Sequence, residues 1–281
     1  MKLGVSAFAW AGKAEPWLLD LLPAIRSLGM DGFEIPMFDP ALLAAAEIRS
    51  AFEQSGLECA VCAILPDGIN PISPDAGVRE KARRHLQQCV EMTASLGAKL
   101  LGGPLYAPIG YFTGERPTAD ERQWAVEAFQ SVGDTLEAYD VTLAIEPVNR
   151  SETFFLRTAD EAVALCQAVG HPRVGVTIDT FHANIEEKNP AAAVLSLRHR
   201  LRHMHISEND RGLLGSGHVD FPGIIKALRA IGYQGYLMIE GFGFLPEVKD
   251  GPGALWADRN VSPMEIASQG AVYLRNLLQD R

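Results

Sequence analysis

Short apolar runs and amphipathic stretches alternate along this chain with regular punctuation. An amphipathic stretch stops at a glycine, a few turn residues follow, and an apolar run begins. The pattern occurs at Gly29 before Phe33-Glu34-Ile35, at Gly56 before Cys59 to Leu65, and at Gly97 before Leu100-Leu101. It returns at Gly170 before Val174 to Ile178 and at Gly232 before Tyr236 to Ile239. Glycine is the usual residue just past a helix end, so each of these glycines predicts a helix stop. Helix starts carry their own marks. Thr118-x-x-Glu121, Thr158-x-x-Glu161 and Ser262-x-x-Glu265 read as capping boxes, the last with Pro263 at the first helical position. After Asp75, the residues Val78, Ala82, Leu86, Cys89, Val90 and Leu96 share one face at helical spacing.

The apolar runs predict eight strands, near residues 2–10, 32–37, 58–65, 99–106, 142–147, 174–179, 201–207 and 236–241. They alternate little between apolar and polar, as parallel strands covered on both faces do. A helical stretch follows each. Eight such units in 281 residues predict an α/β chain folded as a single (β/α)8 TIM barrel over residues 1–281. A doubly wound open sheet is the rival, but the run Val5 to Trp10 passes into Ala11-Gly12-Lys13 without a glycine-rich fingerprint. Two long loops rich in glycine and proline, near 66–75 and 242–262, are candidate active-site lids.

Composition narrows the class. Hydrophobic residues are 47% and charged residues 21%, enough to bury a large core. The formal net charge of -10 would repel a phosphate backbone, so nucleic acid is not an expected partner. No apolar run is long enough to predict a membrane helix. The opening segment, Lys2 and then Leu3 to Trp10, reads as a first strand and not as a signal peptide. Cys59, Cys62, Cys89 and Cys166 lie in apolar segments and fit a reduced, cytoplasmic protein.

Candidate chemistry lies where four consecutive strands end. The fifth run ends in Glu146, the sixth in Asp179, the seventh in His205 and the eighth in Glu240. Barrel enzymes carry their reactive groups at these carboxyl ends. Taken singly, an acid after a strand is ordinarily a helix cap, and a histidine in a strand is often a bonded core residue. Taken together, three carboxylates converging on one rim would repel unless a cation neutralised them. Three carboxylates and one imidazole suit a hard or borderline divalent ion, Mn2+ first, with Co2+ or Mg2+ as alternatives. His203, two residues deeper on the seventh strand, is expected to be structural. Cys59-x-x-Cys62 lacks the second pair that a zinc site needs.

His182, Arg211 and Glu152 follow these strand ends and are candidates to bind substrate oxygens. Glu146 and Glu240 sit three strands apart, about 135° around an eight-strand ring. A polyol between them would have one carboxylate near each face, and proton removal on one face with return on the other inverts a stereocentre.

The sequence resembles the ketose 3-epimerases of the sugar isomerase/epimerase superfamily, the D-tagatose 3-epimerase and D-allulose (D-psicose) 3-epimerase group. The resemblance runs through Gly102-Gly103-Pro104-Leu105-Tyr106, Glu146-Pro147-Val148-Asn149-Arg150 and Ile178-Asp179-Thr180-Phe181-His182-Ala183-Asn184. It continues through His205-Ile206-Ser207-Glu208, Asp210-Arg211-Gly212, Gly217-His218-Val219-Asp220 and Ile239-Glu240. It implies a divalent ion held by Glu146, Asp179, His205 and Glu240, with proton transfer at carbon 3 of a ketose by Glu146 and Glu240 through a cis-enediolate. It further implies that Glu152, His182 and Arg211 bind the oxygens of carbons 1 and 2, in a homodimer or homotetramer. Ser151, Gly241 and the segment Phe244 to Asn260 depart from the group's usual pattern. Phe8, Trp10, Tyr111, Phe112 and Phe242 are candidates to line the far end of the sugar. An aldose–ketose isomerase or a polyol dehydratase on the same barrel, and a non-catalytic sugar-binding protein, are the alternative readings.

Overall fold

The computed structural model describes residues 1–242 and 261–279. Eight parallel strands close into a barrel in chain order: β1 (Lys2–Ser6), β2 (Gly32–Met37), β3 (Glu58–Ala63), β4 (Leu100–Gly103), β5 (Thr142–Ile145), β6 (Val174–Asp179), β7 (Leu201–Ile206) and β8 (Tyr236–Ile239). Closure comes from β1 pairing with β8, Lys2 opposite Tyr236 through Val5 opposite Ile239. Helices pack around the outside, and the core lies between them and the barrel. This is the TIM barrel that the alternating pattern predicts.

The punctuation works as the sequence suggests. Gly56 and Gly170 adopt left-handed conformations (φ 69° and 71°) that end the helices Ala45–Ser55 and Ala159–Val169. Reciprocal capping hydrogen bonds form at Thr118 and Thr158. Ser262 and Glu265 exchange the same bonds ahead of the helix Pro263–Gln279. The helix Ala76–Ser95 buries Ala82, Leu86, Cys89 and Val90.

Six strands end short of the predicted bounds, β1 and β4 by the most. β1 stops at Ser6, whose hydroxyl accepts the Phe8 amide and turns Ala7–Ala9 into a 3-10 helix. β4 stops at Gly103, which has φ 123° and lies so near β3 that a Cβ there would meet the Ala63 carbonyl oxygen at 2.1 Å. Only glycine permits both that backbone conformation and that approach.

Inside the barrel, alternate residues of each strand point inward. On β8 these are Tyr236 and Met238, which fill space that Gly32 and Gly4 leave open; a Cβ on either glycine would stand 2.7 Å from them. One step further up the same face comes Glu240. The loop 66–75 is held by buried Asn70 and Ile72, the Asn70 side chain accepting the Ile72 amide at 3.1 Å. Most of the second expected loop, residues 243–260, lies outside the described residues, as does the whole departing segment Phe244 to Asn260.

Candidate metal centre and active site

The four strand-end residues meet at the carboxyl rim of the barrel, and all four are buried. Backbone pairing positions two of them just past their strands. The Glu146 amide donates to the Gly103 carbonyl and the Glu240 amide to that of Ile206, each at 3.1 Å. Asp179 ends β6 and caps the helix Thr180–Glu186, its Oδ1 accepting the Phe181 amide at 2.9 Å. His205 lies opposite Asp179 in the register of β6 and β7.

The imidazole of His205 is the hub. Its Nδ1 lies 3.0 Å from Glu146 Oε1 and 3.8 Å from Glu240 Oε2. Glu146, Asp179 and His205 bring ligand-competent atoms within 4.8 Å of one another. Glu240 joins this set through its approach to Nδ1 and through Arg211. The Arg211 guanidinium nitrogen Nη1 donates to Asp179 Oδ2 at 2.6 Å, to Glu240 Oε2 at 2.5 Å and to the Ser207 hydroxyl at 2.9 Å. So a protein cation already stands between two of the carboxylates. Those oxygens are arranged to receive positive charge, and a mostly oxygen donor set with one imidazole fits a hard or borderline divalent ion.

Charge and burial act strongly on these groups. Burial pushes the Glu240 carboxyl up to about 8; His205 and Arg211 oppose the rise, and Asp179 and Glu146 add to it. Burial works against protonation of His205, but Glu34, Glu146 and Glu240 overcome it and hold the imidazole well above its ordinary range. Burial would raise Asp179, yet Arg211, His182 and His205 keep it below the usual carboxylate range.

Arg211 is fixed from several sides. Its planar guanidinium lies between the rings of Phe181 and Phe242, 4.1 Å and 4.8 Å from their centroids. Its backbone is left-handed, φ 62°, and its carbonyl accepts the Phe242 amide at 3.0 Å. Glycine at 241 makes this possible, since a Cβ there would meet the Arg211 carbonyl oxygen and Ile266 at 2.9 Å. Upstream, fully buried Glu208 ties the loop together by accepting the amides of Asn209, Gly215 and Val219.

His182 and Glu152 are linked through Asn149. The Asn149 amide nitrogen donates to His182 Nδ1 at 3.2 Å, and its side chain donates to Glu152 Oε1 at 2.7 Å. With Nδ1 accepting, His182 carries its proton on Nε2, which faces Asp179 Oδ2 at 3.6 Å. The 3.3 Å approach of Arg211 Nη2, itself only a donor, is then a contact and not a hydrogen bond. All seven residues named from the sequence therefore converge on one rim.

Sequence reasoning missed Glu34. It lies on β2, fully buried, with its carboxylate against His203 Nε2 at 2.9 Å and His205 Nε2 at 3.1 Å. The signal was a charge inside an otherwise apolar strand, which cannot be buried without partners. Asn149, Ser207 and Phe181 were missed as well, and so was the packing of Phe242, one of the candidate mouth aromatics, on Arg211. Of the candidate mouth aromatics, Phe8 packs edge-on against Phe242, and Tyr111 packs against Phe154. Trp10 helps line a cavity of about 760 Å3 with Trp17, Phe38 and Leu42 above β1 and β2. Phe112 is exposed.

Residues 22–263 match the family described as xylose isomerase-like TIM barrel. A ketose 3-epimerase from Arthrobacter globiformis is 30% identical, covering 99% of this chain and 97% of the relative. An L-ribulose 3-epimerase from Mesorhizobium japonicum is 31% identical, covering 97% of this chain and 93% of the relative. Among solved structures, one of an L-ribulose 3-epimerase superposes with a TM-score of 0.91 at 30% identity, covering 99% of this chain and 94% of the other.

Proposed function

The chain belongs to the xylose isomerase-like TIM barrel family, with sugar epimerases as its full-length relatives, and from that premise we propose that it is a metal-dependent ketose 3-epimerase acting on free ketoses. The observation that carries the reading is the placing of Glu146 and Glu240. They come from strands β5 and β8 and approach the same His205 nitrogen, 3.0 Å and 3.8 Å away.

Glu146, Asp179, His205 and Glu240 would hold a divalent ion, Mn2+ in the first instance and Co2+ or Mg2+ as alternatives. That ion supplies Lewis acidity to the carbonyl side of the sugar. The protein groups handle the protons. One of Glu146 and Glu240 removes the proton from carbon 3. The electron pair of that C–H bond becomes a carbon 2–carbon 3 double bond while the carbonyl π pair moves onto the carbon 2 oxygen, giving a cis-enediolate. The other carboxyl group returns a proton to carbon 3 on the opposite face, and the carbonyl reforms. Which glutamate begins depends on the epimer offered. Arg211 and His182 present N–H donors to the oxygens of carbons 1 and 2. Glu152 holds Asn149 and, through it, the ring of His182.

Free ketoses are favoured over phosphorylated ones. The amides of Asn209, Gly215 and Val219, which a phosphate would need in the glycine-containing loop after β7, already bind the Glu208 carboxylate. No helix among the described residues is long and apolar enough to cross a membrane. The free state of all four cysteines supports a reducing, cytoplasmic setting. A single domain over residues 1–281 and assembly as a homodimer or homotetramer complete the reading, the latter checked by light scattering.

Product analysis on D-fructose, D-allulose, D-tagatose and L-ribulose tests the proposal, run with Mn2+ and again after chelation. Metal-dependent appearance of the carbon 3 epimer is the expected result. An aldose product would move the chemistry to carbons 1 and 2, and sugar binding without turnover would leave a binding protein.

A further inference from the structure

Two groups of ligand-competent side chains meet at one imidazole. Glu146, Asp179 and His205 form the upper group, and Glu34, Cys62 and His205 form a second one. Glu34 meets the ring at Nε2, whereas Glu146 meets it at Nδ1. A neutral imidazole has one lone pair to give and one proton to keep, so His205 can serve one group as a ligand and the other as a donor.

Glu34 settles which. Its Oε1 and Oε2 lie 3.1 Å and 3.3 Å from His205 Nε2, and Oε2 lies 2.9 Å from His203 Nε2. An ionised carboxylate only accepts, so each of these nitrogens brings it a proton. In the metal-free chain Nδ1 brings one to Glu146 as well. An ion arriving among Glu146, Asp179 and Glu240 would displace that proton and leave the one that Glu34, itself tied to His203, holds on Nε2. The ring of His203 stands edge-on to that of His205, centroids 4.8 Å apart and planes at 83°, and limits its rotation. All three side chains are fully buried, so neither hydrogen bond is exposed to bulk solvent.

We infer that Glu34 is a positioning residue that keeps the proton of His205 on Nε2, turning the Nδ1 lone pair toward Glu146, Asp179 and Glu240 and assigning the divalent ion to the upper group. Cys62 is then a packed thiol and not a ligand. This rests on the metal-binding part of the proposed function, but not on which carbon is epimerised. His203 has a role under the same scheme: it takes up the second Glu34 oxygen.

The test is binding of Mn2+ to the metal-free protein, followed by the electron paramagnetic resonance signal of the free ion, so that no activity enters. Wild type should bind one Mn2+ per chain. Glu34→Gln should weaken binding by about 10- to 100-fold, the range found when an outer partner of a metal ligand is lost. Its amide keeps one acceptor oxygen and puts an N–H2 donor where the second carboxylate oxygen faces an imidazole N–H. Cys62→Ser should bind as wild type does. Nitrogen-15 spectra of the wild-type protein loaded with diamagnetic Mg2+ should place the His205 proton on Nε2, and this holds as a test even if Glu34→Gln does not fold. Two ions per chain, a Cys62→Ser protein that loses its Mn2+, or a proton on Nδ1 would each overturn the assignment while leaving a metal enzyme standing. Absence of any Mn2+ binding by wild type would remove the metal reading itself.

Discussion

Arg211 donates to Glu240 through a single nitrogen, Nη1, at 2.5 Å, and the same nitrogen reaches Asp179 at 2.6 Å. A guanidinium is thus built into the carboxylate cluster and helps to neutralise it. Arg211→Ala should raise the KM for the ketose by about tenfold or more, with a smaller change in kcat. Steady-state kinetics at saturating Mn2+ separates the two constants. A loss confined to kcat would assign Arg211 to transition-state stabilisation instead. Lysine should rescue poorly, because an ammonium is a point charge and cannot fill the flat slot between Phe181 and Phe242.

Glu146→Gln and Glu240→Gln keep the volume of each side chain and remove its capacity to take a proton. Each should lower kcat by about 100- to 10,000-fold, the usual contribution of a positioned acid or base. Far-ultraviolet circular dichroism should stay as in wild type, and Mn2+ should be present in large excess because both residues also bear on the metal. Near-normal turnover by either variant would end the two-base scheme.

The raised proton affinities of Glu240 and His205 make a signed prediction for stability. Glu240 titrates at about 8 in the folded chain against 4.5 for an ordinary carboxyl, so between those values the folded state holds a proton that the unfolded state has released. That contribution is lost as pH rises through this interval. The stabilisation from His205 is complete below its unfolded value and also fades as pH rises through its elevated folded one. Asp179 and Glu34, held low, act with the opposite sign but only in acid. His203 and His85, also held low, oppose the fall only up to about their ordinary value of 6.5. The Tm of the metal-free protein should therefore fall from about pH 7 to about pH 8.5, while the gain in Tm on adding Mn2+ grows, because the ion displaces these protons. Thermal scans across that range check both trends; a metal-free Tm that climbs would contradict them.

Gly241→Ala tests the support behind Arg211. The added methyl would press on the Arg211 carbonyl oxygen and on Ile266, both 2.9 Å from its position. Overpacking of this kind costs about 1–3 kcal/mol, and here the displaced backbone carries a site residue. Denaturant unfolding should show the loss of stability, with KM rising in parallel. An unchanged KM would mean that the loop absorbs the methyl without moving the guanidinium.

The barrel was legible because its punctuation is local. Gly170 ends a helix and Thr158 begins one through contacts a few residues away, and such contacts survive in a linear reading. Glu146, Asp179 and Glu240 were legible for a related reason, each being the polar residue at which an apolar strand stops, and His205 stands one residue before the end of its own. Glu34 was not, since its partners lie 169 and 171 residues away and it interrupts an apolar strand without ending it. Nor was the placement of Arg211 among the acids, which depends on a left-handed backbone and on two rings, one on the helix Thr180–Glu186 and one just after β8. The ends of β1 and β4 shifted because Ser6 and Gly103 respond to neighbours, one to a nearby amide and the other to β3 across the sheet.

The seam between β1 and β8 also sets an order of events during synthesis. The first strand to leave the ribosome waits for the last, and until Tyr236–Ile239 emerges both β1 and β7 keep an open edge. The residue after that strand is Glu240. The segment that shuts the cylinder thus also delivers its final acidic group, so a nascent chain stopped short of it lacks closure and chemistry together.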